Sequence, residues 1–294
     1  MLLVTWSLTA AAQEVPNRLP VQPEAELFPF EGSPPVWLSA GASGERDPIE
    51  TDRHDFTQSP RTVTRGTLQI ESGYTYFYRD YDDEIEQSHT LPETVIRYGL
   101  TDDIEFRVRM NYVSQFRDGE EELDDREGSE DIRWGFKFQI SEPCGWQPES
   151  ALRVISTIPS GGDDFSTDRV ELGVDYVYAW EIAEGVNLAG STGFATNAAG
   201  EYSLGGQLEG EQQNFVAIAQ SAALGFELTE QSELYLEWYT LWTNGLRDEQ
   251  VLTFVNVGLD YLLTDDLVID FRIGKGLSDE ADDLFAGAGG GIRF

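Results

Sequence analysis

The stretch from Leu284 to Phe294, LFAGAGGGIRF, decides the fold class of this chain. Every second residue counted back from Phe294 is apolar or small, whereas the intervening positions carry Arg293 and three glycines. Side chains alternate between the two faces of a strand, so the stretch is predicted to be a β-strand with one apolar face. In a closed sheet such a strand pairs with the first strand and shows that face to lipid. A strand of a soluble protein is the alternative.

The same period of two recurs upstream. Residues 104–117 alternate apolar and polar side chains, and residues 131–140 do the same. These segments run about ten to fourteen residues, the length of a tilted transmembrane strand, whereas strands of soluble sheets usually have about five or six. The pattern therefore favours membrane-crossing strands, with a soluble β-sandwich as the alternative architecture.

Twelve segments of this kind predict an all-β fold, a closed antiparallel transmembrane β-barrel of about 12 strands. An even number places both ends of the barrel on one side of the membrane. The predicted strands are 67–79, 90–100, 104–117, 130–141, 151–160, 169–183, 186–196, 214–228, 233–243, 250–263, 267–276 and 284–294.

The connections predict the orientation of the barrel. Those after even-numbered strands are mostly short and rich in Thr, Asp and Glu, which reverse the chain tightly, as in 100–104, 228–234 and 263–267. Those after odd-numbered strands are mostly longer, for example 118–130 and 197–213, and only the nine-residue connection 142–150 departs from this rule. Short turns in the periplasm and long loops outside are typical of bacterial outer-membrane barrels. The terminal strand also resembles theirs, so Phe294 and Ile292 are predicted to be the signal that the barrel assembly machinery recognises.

The composition argues against several functions. There are 54 Asp and Glu against 19 Lys and Arg, a formal charge of −35, so nucleic acid would be repelled. The acidic run 118–125 is interpreted as a solvated loop, with cation bridging to lipid headgroups as the alternative. Cys144 is the single cysteine, and His54 and His89 lack a recognisable catalytic partner. No enzymatic activity, metal or cofactor is therefore expected.

The first 65 residues are predicted to lie outside the barrel strands. Residues 1–12 are signal-like, with an Ala-rich cleavage site before Gln13. Residues 13–65 hold eight prolines, which prevent regular structure, and are predicted to form an extended segment in the periplasm or entering the lumen. The barrel is assigned to residues 66–294.

Two short motifs in and after this segment carry a family resemblance. Residues 50–60, ETDRHDFTQSP, and residues 63–74, VTRGTLQIESGY, resemble the opening of an outer-membrane transporter family named for the meta-pathway of phenol degradation. Members of that family typically read T-D-R-P-D-x-T-x-S-P and then V-P-x-G-x-x-Q-x-E-x-G, and here His54 and Thr64 replace the two prolines. The resemblance covers most of residues 50–294. It implies a barrel in the outer membrane and uptake of small solutes, aromatic or hydrophobic compounds among them.

The alternation also predicts which charged side chains face the lumen. Cations dominate strands two to five and acids dominate strands six to eleven, so one wall should be basic and the facing wall acidic. The residues assigned to the pore lining are Arg97, Arg107, Arg109, Arg117, Arg133, Lys137, Arg153, Glu171, Asp175, Glu237, Asp260, Asp270 and Arg272. The residues assigned to the lipid-facing side are Phe106, Val108, Trp134, Phe136, Trp238, Ile269 and Ile292.

Two functions follow from that lumen. If water fills it, the chain is an outer-membrane channel for passive or weakly selective uptake of small solutes. If the opposed charges pair and fill it, the chain is a non-transporting, plugged barrel with a structural or surface-interaction role. The expected partners are small-molecule solutes, outer-membrane lipid and the barrel assembly machinery.

Overall fold

The structure, a computed structural model, describes residues 47–53, 56–81, 84–119, 125–196, 215–246 and 248–294. The signal-like residues 1–12, most of the proline-rich segment, His54 and the densest part of the acidic loop lie outside the described residues. Within the described part, no helix offers the length and apolar character needed to cross a membrane.

Thirteen strands form one antiparallel sheet, and most of them coincide with an alternating stretch of the sequence. They are β1 (Leu68–Tyr81), β2 (Glu84–Gly99), β3 (Ile104–Asp118), β4 (Arg126–Ser129), β5 (Ile132–Ser141), β6 (Glu149–Ile158), β7 (Leu172–Ala183), β8 (Val186–Thr196), β9 (Val216–Thr229), β10 (Ser232–Asn244), β11 (Val251–Thr264), β12 (Leu267–Gly276) and β13 (Leu284–Arg293).

Twelve of these strands close into a barrel. The last strand pairs with the first, from Gln69 opposite Arg293 to Tyr78 opposite Leu284, and every other neighbour follows chain order. The short strand β4 pairs with the outer part of β3, beside the closed wall. Because the sheet has no free edge among the twelve long strands, the prediction of a closed antiparallel barrel is confirmed and the sandwich is excluded.

Two features of the strands depart most from the prediction, whereas the other strand ends lie within about three residues of it. Strand β2 begins at Glu84 and not near residue 90, because residues 84–89 continue the pairing with β1 as a polar ribbon that carries no apolar alternation. Strand β4 was not predicted, since four residues are too few to show a period. Both differences lie at the loop end of the wall, where backbone pairing can continue without an apolar face.

The barrel has two unlike ends. The short-turn end holds the connections that follow β2, β5, β7, β9 and β11, together with residues 65–67 and Phe294. The long-loop end holds the other connections. The turn at Glu184-Gly185 needs only two residues, with Gly185 at φ +68°. The connection between β5 and β6, which departs from the rule of short turns at this end, contains a tight turn in which Cys144 and Gln147 exchange backbone hydrogen bonds.

The outer face of the barrel is apolar. Large side chains such as Met110, Trp238, Phe271 and Ile292 are exposed on it, while their sequence neighbours point inward and are buried or partly buried. The seven residues predicted to face lipid share the parity of these exposed positions. An apolar exterior around a charged interior is the arrangement of a membrane barrel of the outer-membrane type and the reverse of a soluble protein.

A segment that belongs to no strand lies inside the barrel. We call residues 47–53 and 56–65 the lumen segment. Ile49, Asp52, Arg53 and Gln58 are almost wholly buried, although no strand of the barrel contains them. Their partners are inward-facing side chains of strands on both sides of the lumen, so the segment bridges the interior.

Candidate functional site

One side of the lumen is lined by cations, which we call the basic wall. It consists of Arg97 on β2, Arg107 and Arg109 on β3, Arg133 and Lys137 on β5 and Arg153 on β6, all buried. The strand register sets like charges directly opposite each other in three pairs: Arg97 with Arg107, Arg109 with Arg133, and Lys137 with Arg153. Like charges opposite each other destabilise a sheet, so this wall needs acceptors from elsewhere.

Two buried acids supply part of that requirement. Glu105 accepts both ends of the Arg97 guanidinium fork, at 2.9 and 2.8 Å, and Glu71 on β1 lies 3.3 Å from the same group. At the edge of the wall, Arg153 donates to Asp175 of β7 at 2.8 Å. These bonds still leave Arg107 and Lys137 with charge that the wall itself does not balance.

Asp52 of the lumen segment balances it. Its Oδ2 accepts from Arg107 at 3.0 Å and from Lys137, and it lies 3.5 Å from Arg97. Burial alone would raise the pKa of the Asp52 carboxyl, but the charges of Arg97, Lys137 and Arg107 hold that pKa well below its ordinary value. The carboxylate is therefore ionised at any physiological pH.

Main-chain and amide oxygens of the segment satisfy further donors of the basic wall. Arg109 donates to the carbonyl of Arg53 at 2.9 Å, and Lys137 donates to the carbonyl of Ser59 at 2.8 Å. Arg153 donates to the side-chain oxygen of Gln58. The segment is thus an acceptor surface fitted to the basic wall.

The residue that follows Asp52 is a cation and pairs with acidic side chains of the barrel. Arg53 donates to Glu93 at 3.1 Å and to Asp270 of β12, and all three side chains are buried. Its guanidinium lies where Gly73 and Gly289 have no side chain, since a Cβ on Gly289 would come within 2.6 Å of it. The glycines of the final strand, which share the charged face of the sequence pattern, therefore make room for the segment.

The facing side of the lumen, which we call the acidic wall, carries Asp175, Glu237, Asp260 and Asp270. Glu237 on β10 accepts the backbone N–H of Thr57 at 2.5 Å and the side-chain amide of Asn256 at 2.8 Å. The hydroxyl of Thr57 lies 2.6 Å from that of Ser221 on β9. This wall contacts the segment through backbone amides and hydroxyls more than through ion pairs.

An aromatic cluster adjoins this contact. The ring of Phe56 stacks on Tyr239 with 4.4 Å between centroids, and Tyr239 stacks in turn on Phe254 at 4.9 Å. Phe285 and Phe77 extend the cluster, with 5.9 Å between their ring centroids. The aromatic contact of the segment with the wall is thus made on β10, at Tyr239.

The structure brings most of the predicted lining residues to the segment and leaves others apart. Arg97, Arg107, Arg109, Lys137, Arg153 and Asp270 touch it directly, as does Glu237. Arg272 donates to Thr75, Arg133 pairs with Glu130, and Asp260 lies opposite Asp270 in the sheet. Arg117 pairs with Glu86, and Glu171 pairs with Arg169 near the long-loop end. That these residues line a conducting path stays a prediction.

The sequence reasoning missed the segment's own side chains. Asp52, Arg53, Phe56, Thr57 and Gln58 were not assigned to the lumen, because a proline-rich stretch shows no period from which orientation can be read. One signal was available: two adjacent opposite charges, Asp52 and Arg53, stand in a segment otherwise poor in basic residues and match the family motif.

No second site emerges from the remaining candidates. His89 lies on the outer face, where its Nδ1 is 2.7 Å from the hydroxyl of Tyr74 and its ring contacts Phe116. Cys144 is exposed in a turn. Among the described residues, no group of three or more His, Cys, Asp or Glu side chains is placed to hold a metal ion.

Comparisons with known proteins place the chain among outer-membrane barrels. A family model described as "Putative MetA-pathway of phenol degradation" matches residues 51–294. An outer-membrane channel from Pseudomonas putida F1 is similar in structure, with a TM-score of 0.62 and 13% sequence identity over 83% of this chain and 100% of that one. The porin NanC has a TM-score of 0.46 and 10% identity over 77% of this chain and 98% of that one, too distant to carry an argument. No curated protein matches the sequence.

Proposed function

The chain belongs to the family of the MetA-pathway of phenol degradation, as its motifs indicated, and we propose that it forms an outer-membrane channel for small solutes. The short-turn end faces the periplasm and the long loops face outward, as in other barrels of this architecture. Residues 1–12 direct export, and the terminal Ile292 and Phe294 present the barrel to its assembly machinery. Lipid surrounds the apolar outer face.

One observation carries the proposal. The charged walls of the lumen are bridged mainly by the lumen segment, which contacts them through side chains and single backbone groups and, in its described residues, forms no ladder of strand hydrogen bonds. A barrel whose interior was only structural could pair its walls directly or fill the space with side chains of its own strands. A separate segment can instead shift and expose a lumen lined by both signs of charge, which admits polar and charged solutes.

The aromatic cluster supports a narrower statement about the solute. Phe56 is stacked on Tyr239, and Tyr239 is joined by ring contacts to Phe254, Phe285 and Phe77. Flat rings stack on such surfaces with about 0.5–1.5 kcal/mol beyond the area that they bury. When Phe56 moves away, the surface accepts the ring of an aromatic solute, which agrees with the name of the family.

A second candidate is a permanently plugged barrel with a structural role. The observation that favours it is the complete burial of Asp52 and Arg53 in ion pairs. Breaking a buried ion pair is costly, so a segment held in this way could stay in place.

A disulfide between the segment and the wall separates the two functions. The hydroxyls of Thr57 and Ser221 are 2.6 Å apart, so cysteines at these positions are close enough to be bridged. Thr57→Cys and Ser221→Cys are combined with Cys144→Ser, which removes the native thiol. Single-channel conductance and solute uptake into liposomes are measured under oxidising and reducing conditions.

We expect uptake by the reduced protein and loss of uptake on oxidation, reversed by a reductant. The Cys144→Ser protein without the other cysteines is the control and should be indifferent to the redox state. A fully inserted protein that passes neither ions nor solutes when reduced is a plugged barrel. Uptake that oxidation leaves unchanged means that the solute path does not require the segment to move.

A further inference from the structure

The basic wall holds more positive charge than its own acids balance. Around Asp52, the three cations Arg97, Arg107 and Lys137 face two buried wall carboxylates, those of Glu71 and Glu105. The third negative charge comes from the lumen segment. Without Asp52 this part of the wall carries a net charge of one, in a place shielded from water where an unbalanced charge is costly.

The three cations converge on a single oxygen. Arg107, Lys137 and Arg97 all lie within 3.5 Å of Oδ2 of Asp52, while Oδ1 accepts the backbone N–H of Ser59 within the segment. The wall is therefore arranged around one end of one carboxylate. Charged hydrogen bonds of this kind are about twice as strong as neutral ones.

We propose that Arg97, Arg107 and Lys137 form a binding site for the carboxylate of a small monocarboxylate solute, and that Asp52 occupies this site in the closed barrel. The proposal deepens the channel function above, because it names the chemical group of the solute and the contact that the solute replaces. A monoanion restores the charge balance, whereas a dianion such as phosphate would exceed it.

The register of the wall is independent support. Three neighbouring pairs of like charge across β2, β3, β5 and β6 would weaken a wall that served only as scaffold. The lumen segment meets each of those pairs with an oxygen, from Asp52, from the carbonyl of Arg53 and from the side chain of Gln58. The basic wall is therefore a surface suited to anions and hydrogen-bond acceptors, and the oxygens of the segment occupy the positions that the oxygens of a bound solute would take.

The test removes the tethered carboxylate and supplies a free one. The full chain carrying Asp52→Ala is placed in detergent, and its midpoint of urea unfolding is followed by tryptophan fluorescence in sodium formate and in sodium chloride at equal ionic strength. We expect the variant to unfold at lower urea than the unmodified protein, and formate to recover much of that loss in a saturable way that chloride does not reproduce.

A matched control is Asp131→Ala. Asp131 is also buried, but its oxygens accept from hydroxyls and backbone amides of residues 160–167 and not from cations. Formate should not rescue that variant, nor should it stabilise the unmodified protein more than chloride does. If Asp52→Ala does not fold, Asp52→Asn keeps the shape of the side chain without its charge and replaces it.

Equal midpoints in formate and chloride for the Asp52 variant would overturn the proposal, and so would equal rescue of Asp131→Ala. Because the measurement needs no conduction, its outcome is distinct from that of the disulfide experiment. A barrel that is rescued by formate but never conducts has the site and lacks the channel function. A barrel that conducts but shows no rescue has the channel function and lacks the site.

Discussion

The basic and acidic walls hold the same segment by different chemistry. On the basic wall, buried cations converge on a carboxylate, on carbonyls and on an amide oxygen of the segment. On the acidic wall, Glu237 accepts backbone amides and Tyr239 stacks on Phe56, with the Arg53 to Asp270 pair as the main ionic contact. The basic wall thus depends on charge, whereas the acidic wall depends on hydrogen bonds that neutral groups can also make.

The largest expected effect is on the basic wall. Arg97→Met removes the cation that pairs with Glu105 and Glu71, and it leaves those carboxylates and Asp52 buried together. Removing one partner of a buried ion pair costs about 3–5 kcal/mol. The free energy of unfolding, measured by urea titration in detergent, should fall by about that amount.

The matched control is Arg117→Met on β3, outside the basic wall. Arg117 pairs with Glu86 near the long-loop end, where both side chains are partly exposed, and such pairs contribute about 0–1 kcal/mol. Equal losses of unfolding free energy in the two variants would contradict the view that buried charge stabilises the part of the barrel that contacts the lumen segment.

A smaller effect is expected where the final strand makes room for the segment. A Cβ on Gly291 would lie 2.6 Å from the γ-methyl of Thr51. Gly291→Ala should therefore destabilise the docked segment, by about 1–3 kcal/mol as for other overpacked sites. Thr51→Ser removes the clashing methyl, so the double variant should recover most of the loss. Strictly additive losses would show that the segment does not lie against β13.

On the acidic wall we expect Glu237→Gln to lower the free energy of unfolding by about 1 kcal/mol. Glu237→Gln keeps an oxygen that can accept the amide of Thr57 and removes the charge. The same urea titration measures it, with the exposed Glu227→Gln as a control that should be neutral. A loss as large as that of Arg97→Met would remove the distinction between the walls.

The smallest effect, and one that depends on pH, concerns Asp282 in the connection between β12 and β13. Burial raises the pKa of this carboxyl to about 7, with Glu86 and Asp283 adding to the shift and Arg79 opposing it. The folded state therefore prefers the protonated form, and this contribution to stability is lost as the pH rises from about 4 to 7. Because Asp282 is partly exposed, we expect its effect on the free energy of unfolding to be modest.

Asp282→Asn should be more stable than the unmodified protein at pH 8 and equal to it near pH 4, as measured by urea unfolding at a series of pH values. The carboxyl of Asp52, whose pKa is lowered, behaves in the opposite way: its contribution to stability is full above about pH 4 and is lost progressively as the pH falls further. A difference that does not change between pH 4 and 8 would contradict the raised pKa.

The sequence predicted the wall of the barrel far better than its contents. Alternation sets the face of each side chain, so the inward cations from Arg97 to Arg153 and the outward Trp238 and Ile292 could be assigned from parity. The lumen segment has no period, and its position depends on partners far away in the sequence, such as Glu237 and Asp270. Glycines that leave space also give no signal of what fills it, which is why Gly289 and Gly291 pointed to a strand and not to the segment.

The partners of the lumen segment have a consequence for the order of folding. They extend from Glu71 on β1 through Asp270 on β12 to the backbone position of Gly291 on β13. Contacts between residues so distant in the chain form late, because the entropy of closing the intervening loop must be overcome first. The contact of Arg53 with Asp270 spans 217 residues, about as many as the pairing of β1 with β13, so it forms only when the end of the chain is in place. The contacts of Asp52 with Arg107 and Lys137 join residues only 55 and 85 positions apart, so loop closure allows the basic wall to be covered by the segment before the barrel closes.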